Sequence, residues 1–200
     1  MKAAVAPFAF LLAIWTLTGS RGSEVTVGTV ADLKLALLNA SLNNEDDVIN
    51  VAAGTHDLSG GGLRWRPGWS YDPGWPFGND KHALTIQGAG AATTVLDGGG
   101  VVRILYANTQ NLQNYHADAD RFAHLTLRGM TFRNGLGESD GLTSGGGVLA
   151  LSHWGNITVE ECVFANNAAA NGGGLSAGIG YETGTLTVRG CQFQIGRAHV

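Results

Sequence analysis

The chain has 200 residues, of which 12 are basic and 16 acidic, so its net charge at pH 7 is −4 with neutral histidines. An acidic chain without a basic stripe is not expected to bind nucleic acid. Glycine accounts for 31 residues, too many for a helical protein and suited to a fold that changes direction often.

Residues 1–23 have the features of a secretory signal peptide. Lys2 precedes an apolar run over residues 3–17, and small residues follow it. The run contains Pro7 and is shorter than the ~20 residues that a membrane-spanning helix needs. We therefore expect removal of the signal, no membrane span after it, and a secreted, extracellular or cell-surface protein.

The mature chain is expected to begin near Ser23 or Glu24. Without Lys2 and Arg21 it has 10 basic and 16 acidic residues, a net charge of −6. Its roughly 175 residues are enough for one domain with a hydrophobic core.

Residues 24–45 are predicted to form an N-terminal cap. A short strand at 25–27 precedes Thr29, which can cap a helix that ends near Ala40. Such a helix would cover the open end of a β-stack, where unpaired strand edges invite aggregation. Its apolar face consists of Val30, Leu33, Leu37 and Leu38.

The stack itself is predicted to begin at 46–51, and an insertion rich in aromatic residues follows between Gly60 and His82. Tryptophan and tyrosine rings stack on sugar rings, and arginine pairs with a uronate carboxylate. The alternative is that these rings fold back and cover the flank of the stack. The candidate carbohydrate-binding residues are Arg64, Trp65, Arg66, Trp69, Tyr71 and Trp75.

A second insertion at 108–124 carries His116, Asp118 and Asp120. The two aspartates are candidates for a calcium site or an acid/base pair, and the alternative is a solvated loop. No other cofactor is expected. A third insertion lies at 135–144, and insertions in a repeat protein collect on one side, often the binding side.

The organising signal is a segment that occurs three times, at 125–134, 157–166 and 186–193. The second copy begins 32 residues after the first (125 to 157), and the third begins 29 residues later (157 to 186). A weaker copy begins at Leu84. Self-similarity at such spacing predicts one supersecondary unit stacked on itself.

Within each copy, apolar and polar residues alternate as in a strand with one buried face. The alternation of inward and outward residues reverses at Arg128-Gly129. The pairs 160–161 and 189–190 occupy the same position in the later copies. A bend is therefore predicted at each of these corners. The phenylalanines of the three copies are expected to stack as a core ladder: Phe132, Phe164 and Phe193.

Turn residues follow the phenylalanines. Asn134 and Asn166-Asn167 suit a left-handed turn, and their amides can bond a neighbouring coil. Glycine triplets at 145–147 and 172–174 each precede a short apolar strand. A leucine-rich repeat is the competing architecture, but the triplets lie where its helical half would begin. We predict an all-β, parallel β-helix over 24–194.

Several of these segments resemble the pectate-lyase-like right-handed β-helix superfamily. The stretch 47–56 fits its D-x-I-x-V-x-x-G-T-Y pattern, with His56 in place of tyrosine, and 84–98 looks like its next coil. The stretch 164–177 is similar to the repeat of polymorphic outer-membrane proteins, F-x-x-N with G-G-A-[ILV], with Gly174 in place of alanine. The resemblance implies the fold, whereas β-helices host lyases, hydrolases, adhesins and inert stalks alike.

The catalytic signatures of the superfamily do not appear in the sequence. Its calcium-dependent lyases carry an aspartate cluster, a W-I-D-H stretch and a catalytic arginine, whereas Ser152-His-Trp-Gly155 is only a superficial echo. The catalytic residues are therefore unknown. We expect a non-enzymatic adhesion or carbohydrate-facing module; the alternative is a polysaccharide lyase or glycoside hydrolase acting on acidic polysaccharides.

Cys162 and Cys191 occupy matching positions in successive copies, so the fold places them one coil apart, at about 4.8 Å. We expect stacked free thiols rather than a disulfide, because Met130 occupies the same apolar position one copy earlier.

Two glycosylation sequons begin at Asn39 and Asn156. Asn156 is expected to be the more accessible of the two.

Residues 195–200 do not follow the repeat. They look like the translation of a sequencing adapter, so we expect a non-native tail on a C-terminally truncated fragment.

Overall fold

The computed structural model describes residues 22–67, 82–109, 123–138, 141–152, 154–180 and 184–194. These ranges contain fifteen β-strands and one α-helix. In chain order they are β1 (Glu24–Val27), α1 (Val30–Asn39), β2 (Asp47–Val51), β3 (Gly54–Asp57), β4 (Leu63–Trp65), β5 (Leu84–Gly88), β6 (Thr94–Asp97), β7 (Leu105–Asn108), β8 (Leu125–Arg128), β9 (Thr131–Arg133), β10 (Val148–Ser152), β11 (Ile157–Glu160), β12 (Val163–Ala165), β13 (Leu175–Ile179), β14 (Leu186–Arg189) and β15 (Gln192–Gln194).

The strands form three sheets in which the strand pairs are parallel. The first sheet has the order β1-β2-β5-β8-β11-β14, the second β15-β12-β9-β6-β3 and the third β13-β10-β7-β4. From β2 onward the chain therefore visits the first, second and third sheets in turn. This confirms a mostly β structure with parallel sheets, which is consistent with a parallel solenoid and compatible with a β-helix. Strands β10 and β13 stand where a leucine-rich repeat would have its helical half.

The repeat copies lie directly over one another in the first sheet. Leu125 pairs with Ile157, and Ile157 pairs with Leu186. Leu127 and Val159 are paired in the same way two residues on, and both are fully buried. Each such side chain contributes about 1.5–3 kcal/mol by burial, so the apolar rows account for the stacking.

The corners are built as predicted. Gly129 and Gly190 have φ of 62° and 63°, and Glu161, which occupies the same corner in the middle copy, has φ of 53°. Asn134 and Asn166 also have φ of 53°. The left-handed conformation turns the chain between the first and second sheets and again at the end of the second sheet.

The predicted ladder of phenylalanines is present. The ring centroids of Phe132 and Phe164 are 5.2 Å apart, and those of Phe164 and Phe193 are 4.9 Å apart. His56 and Leu96 occupy the same inward row in the preceding coils. His56 is therefore buried in this row.

Helix α1 begins where the sequence predicts. The Thr29 side chain accepts a hydrogen bond from the Asp32 backbone N–H at 3.1 Å, which satisfies one of the free N–H groups of the first turn. Leu33 and Leu37 are buried, and the helix contacts β1, β2 and β4. Within the described ranges, the search for a helix long and apolar enough to cross a membrane found none.

One predicted insertion is partly wrong. Leu63–Trp65, which the sequence assigned to the insertion at 60–82, forms β4 and pairs with β7 through Leu63 and Leu105. The alternation is regular, with Leu63 and Trp65 buried and Arg64 exposed. It was missed because charged and aromatic residues here resemble a surface loop.

Candidate functional site

The outward row of the third sheet carries the most chemically distinctive cluster. Arg64 of β4 and Tyr106 of β7 are register partners on adjacent coils. Beside them is a groove of about 210 Å³, which we call the Arg–Tyr groove. It is lined by Gly61, Gly62, Leu63, Arg64, Val101, Val102, Arg103 and Tyr106.

Two guanidinium groups contact the ring of Tyr106. The Cζ atom of Arg66 lies 5.2 Å from the ring centroid, and that of Arg103 lies 5.8 Å from it. Cation–π contacts at such distances are worth about 0.5–2 kcal/mol. The amide of Asn108 donates a hydrogen bond to the Tyr106 hydroxyl at 2.8 Å. Tyr106 is therefore held in place from its ring and from its hydroxyl.

Arg103 is buried and serves as an anchor. Its guanidinium donates to the carbonyl oxygens of Gly145 at 2.9 Å, of Leu142 and Ser144 at 2.8 Å each, and also of Gly137. These bonds tie the backbone at 137, 142, 144 and 145 to the wall of the groove. Because its donors are engaged by the protein, Arg103 contributes charge and shape to the groove rather than ready ligand contacts.

Two further cations lie near the groove: Arg64 is exposed, and Lys34 is half-buried. The Nζ atom of Lys34 lies 3.3 Å from the position that a Cβ atom on Gly61 would take. At Gly62 a Cβ atom would lie 2.0 Å from the Arg103 carbonyl oxygen, so this wall requires glycine. None of the eight residues that line the groove is acidic. The arrangement favours a small anionic group, such as a carboxylate, held by arginine and lysine donors.

The predicted carbohydrate-binding residues are not brought together as a set. Arg64 lines the groove and Arg66 lies against Tyr106. Trp65 is a correction: it is 1% exposed and packs in the core, where its indole N–H points to the Ala40 carbonyl oxygen at 3.4 Å. A ring in that position cannot stack on a sugar. Trp69, Tyr71 and Trp75 lie outside the described residues.

The sequence analysis missed Tyr106 and Lys34 as members of this cluster. No local motif marks either residue, since Tyr106 is the single aromatic residue of an apolar strand. Aligning β4 with β7 as successive coils would have placed Tyr106 opposite Arg64. That alignment requires β4 to be recognised as a strand first.

A pair of carboxylates on neighbouring coils was also missed. Asp57 and Asp97 are register partners at the ends of β3 and β6 on the second sheet. Aligning Gly54–Asp57 with Thr94–Asp97 would have revealed the pair.

The surroundings of the two aspartates favour their ionised forms. Burial alone would raise the pKa of Asp97, but hydrogen bonds from Asn134, Gly99 and Arg133, with the charge of Arg133, hold that pKa below its ordinary value. Arg133 Nε donates to Asp97 at 2.7 Å. Hydrogen bonds from Ser59 lower the pKa of Asp57. A general acid at neutral pH needs a raised pKa, whereas the pKa of each of these two aspartates is lowered.

The glycosylation candidates are placed differently from the expectation. Asn39 is exposed at the end of α1, whereas Asn156 is half-buried. The Asn156 amide oxygen accepts hydrogen bonds from the backbone N–H and the hydroxyl of Thr185, both at 2.9 Å. Asn39 is therefore the more accessible of the two, because the Asn156 amide is hydrogen-bonded to Thr185 of the next coil.

Both cysteines are free, as expected. Burial raises the pKa of the Cys162 thiol to about 12.

The candidate calcium or acid/base residues lie outside the described residues: His116, Asp118 and Asp120. Among the residues that the structure does describe, no group of three or more possible metal-binding side chains was found.

Comparisons with known proteins found no matching protein family, no matching curated protein and no matching solved structure.

Proposed function

We propose that this protein is a secreted or cell-surface β-solenoid that binds an acidic polysaccharide at the Arg–Tyr groove without cleaving it. The observation that carries the proposal is the convergence of Lys34, Arg64 and Arg103 on a groove lined by no acidic residue. Arginine and a carboxylate form charge-assisted hydrogen bonds worth about 1.5–3 kcal/mol each.

The cations of the groove have different roles in this proposal. The Arg103 guanidinium donates to backbone carbonyl groups. We assign the contact with a uronate carboxylate to Arg64, because its side chain is exposed on the wall of the groove, and to the nearby Lys34. The chain as a whole is acidic, with a net charge of −4, and repels a polyanion at long range. Binding should therefore be local and weaken as salt rises, since the Debye length is about 8 Å at physiological ionic strength.

The test compares Arg64→Gln with the wild type for binding to polygalacturonate, alginate and a neutral glucan in affinity gels. Arg128→Gln is the matched control, because Arg128 is an exposed arginine on the first sheet, away from the groove. Loss of one such contact should weaken binding at least about tenfold, because about 1.4 kcal/mol corresponds to a factor of ten in affinity. Equal retention of the wild type and Arg64→Gln on the acidic polymers would contradict the proposal.

A polysaccharide lyase or glycoside hydrolase remains the alternative. It is supported by the resemblance to the β-helix superfamily and by Arg64, because an arginine that binds an acidic sugar can also take part in cleaving the polymer. Incubation with the same polymers, with and without calcium, separates the two functions. Release of unsaturated oligouronides would identify a lyase, and intact polymer supports binding alone.

We further infer the finer architecture: a right-handed, pectate-lyase-like β-helix capped by α1, with residues 1–23 as its signal peptide. The contacts of α1 with β1 and β4, which end the first and third sheets, support the cap. Mass spectrometry of the secreted protein should find an N-terminus near Ser23 or Glu24, and retention of Met1 would contradict the signal peptide.

A further inference from the structure

The Arg–Tyr groove is small for a polysaccharide site. Its volume is about 210 Å³, below the ~300–1,000 Å³ of pockets that enclose a drug-sized ligand. A groove of this size has room for one sugar ring rather than for several in a row. The size of the groove therefore limits how much of a polymer the protein can recognise there.

Backbone packing closes one wall of the groove. A Cβ atom on Gly62 would lie 2.0 Å from the carbonyl oxygen of Arg103 and 3.4 Å from that of Ile104. The backbone at Gly62 thus lies directly against the next coil, and no ligand fits between them. A sugar ring that enters the groove from solvent stops at this wall, so the groove does not continue as a cleft on that side.

The apolar contact of the groove comes from a valine rather than from the tyrosine. The guanidinium groups of Arg66 and Arg103 lie 5.2 and 5.8 Å from the ring centroid of Tyr106. Stacking of a sugar on this ring would compete with those cation–π contacts. Val101 also lines the groove and is 52% exposed. We therefore assign the contact with the apolar face of a ligand to Val101.

The polar contact lies on the cationic side of the groove. Arg64 is exposed on the wall, and the Nζ atom of Lys34 lies near Gly61. A guanidinium binds a carboxylate through two parallel hydrogen bonds. A sugar acid carries both of the groups that this groove can hold, a carboxylate and a ring face made of C–H groups.

We propose that the Arg–Tyr groove recognises one sugar-acid residue at a time, with the carboxylate on Arg64 and the C–H face on Val101. This inference rests on the proposed function and adds that the recognised unit is a single residue, not a stretch of polymer. A single sugar acid in solution and one residue of a chain then bind alike. Val101 makes the site selective for a ring over a smaller carboxylate.

The probe is the methyl glycoside of galacturonic acid, titrated into the full chain by calorimetry. Its methyl ester has no charge and should bind at least about tenfold more weakly, because it lacks the charge-assisted contact with Arg64. The trimer of galacturonate offers three residues to one groove. Its affinity should therefore exceed that of the glycoside by a statistical factor of about three and no more.

Val101→Ser tests the ring contact separately from the charge. It should weaken binding of the glycoside and of the trimer by the same factor, about threefold to tenfold, because apolar area is no longer covered. Val95→Ser is the matched control, since Val95 lies on the outward row of the second sheet, and it should bind as the wild type does. Equal affinity of Val101→Ser and the wild type would overturn the proposal, because the carboxylate alone would then be recognised.

The titrations of the wild type separate this inference from the proposed function. Binding of polygalacturonate that Arg64→Gln weakens, without any binding of the glycoside, would overturn the single-residue site and leave the proposed function in place. An affinity that rises far more than threefold from glycoside to trimer would do the same. Absence of binding for the polymer as well as the glycoside would contradict both.

Discussion

The rings of Phe132 and Phe164 are stacked nearly parallel, with centroids 5.2 Å apart and an angle of 9° between their planes. They come from successive repeat copies whose strands β9 and β12 are in register. This contact is the direct physical result of a sequence that places the same residue at the same point of each coil.

The first prediction concerns this ladder. Phe164→Ala should reduce the free energy of unfolding by about 3–5 kcal/mol, because it opens a cavity between two rings. Phe193→Ala is the matched control and should cost clearly less, since Phe193 is already half exposed. Urea unfolding of both variants measures the difference. Equal costs would show that the ring of Phe164 is not buried in a stack.

The second prediction concerns pH and Glu160. Burial alone would raise the pKa of Glu160, but hydrogen bonds and charge from Arg128 and Arg189 hold it below the ordinary value of 4.5. A carboxylate with a lowered pKa stabilises the fold above its unfolded pKa, and this contribution is lost as pH falls through the folded pKa. Glu160→Gln should therefore lower the free energy of unfolding at pH 7. It should also make the decrease in that free energy smaller as the pH falls below about 4.5.

The control for Glu160 is its neighbour Glu161, which is exposed at the corner. Glu161→Gln should leave the pH profile of the unfolding midpoint closer to that of the wild type. If both variants change the profile equally, the two arginines do not account for it.

The third prediction concerns the corner glycine. Gly129→Ala should cost about 1–2 kcal/mol, because its φ of 62° is unfavourable for a residue with a Cβ atom. The added Cβ would meet the Gly88 carbonyl oxygen at 3.4 Å, an ordinary contact, so conformation rather than crowding is the cause. Gly28→Ala is the control, because nothing lies within 4 Å of its added Cβ atom. A thermal melt in which both variants match the wild type would contradict the strain.

The fourth prediction concerns thiol reactivity. Cys191 should react with an aromatic disulfide reagent before Cys162, because burial raises the pKa of Cys162 to about 12 and leaves little thiolate at pH 8. Denatured protein should show two reactive thiols. Cys191→Ala should remove the fast phase and Cys162→Ala should keep it. A count of zero would mean that the two are joined in a disulfide.

The repeat unit could be predicted because its signals are local. Leu125 and Leu127 alternate with a polar residue, Gly129 allows the corner, and Phe132 ends the pattern on the inward face. A left-handed residue and a period of two decide the path of the backbone over a few residues. The helix start at Thr29 was predictable for the same reason.

The functional cluster could not be predicted in the same way. Trp65 could be assigned from the sequence either to a sugar-binding surface or to a packed flank, because an aromatic ring serves equally well in both. Its burial depends on the pairing of β4 with β7, which lies 42 residues further along the chain. Asp57 and Asp97 are likewise joined only by register.

By itself, the sequence determined how one coil is made: which residues point inward, where the backbone turns, and that the unit repeats. The tertiary structure alone decided which residues of the third sheet meet, placing Arg64 beside Tyr106 and Trp65 in the core. The reason is physical. Alternation and turn conformation are properties of neighbouring residues, whereas contacts between coils depend on loop lengths that set the register of strands some 30–40 residues apart.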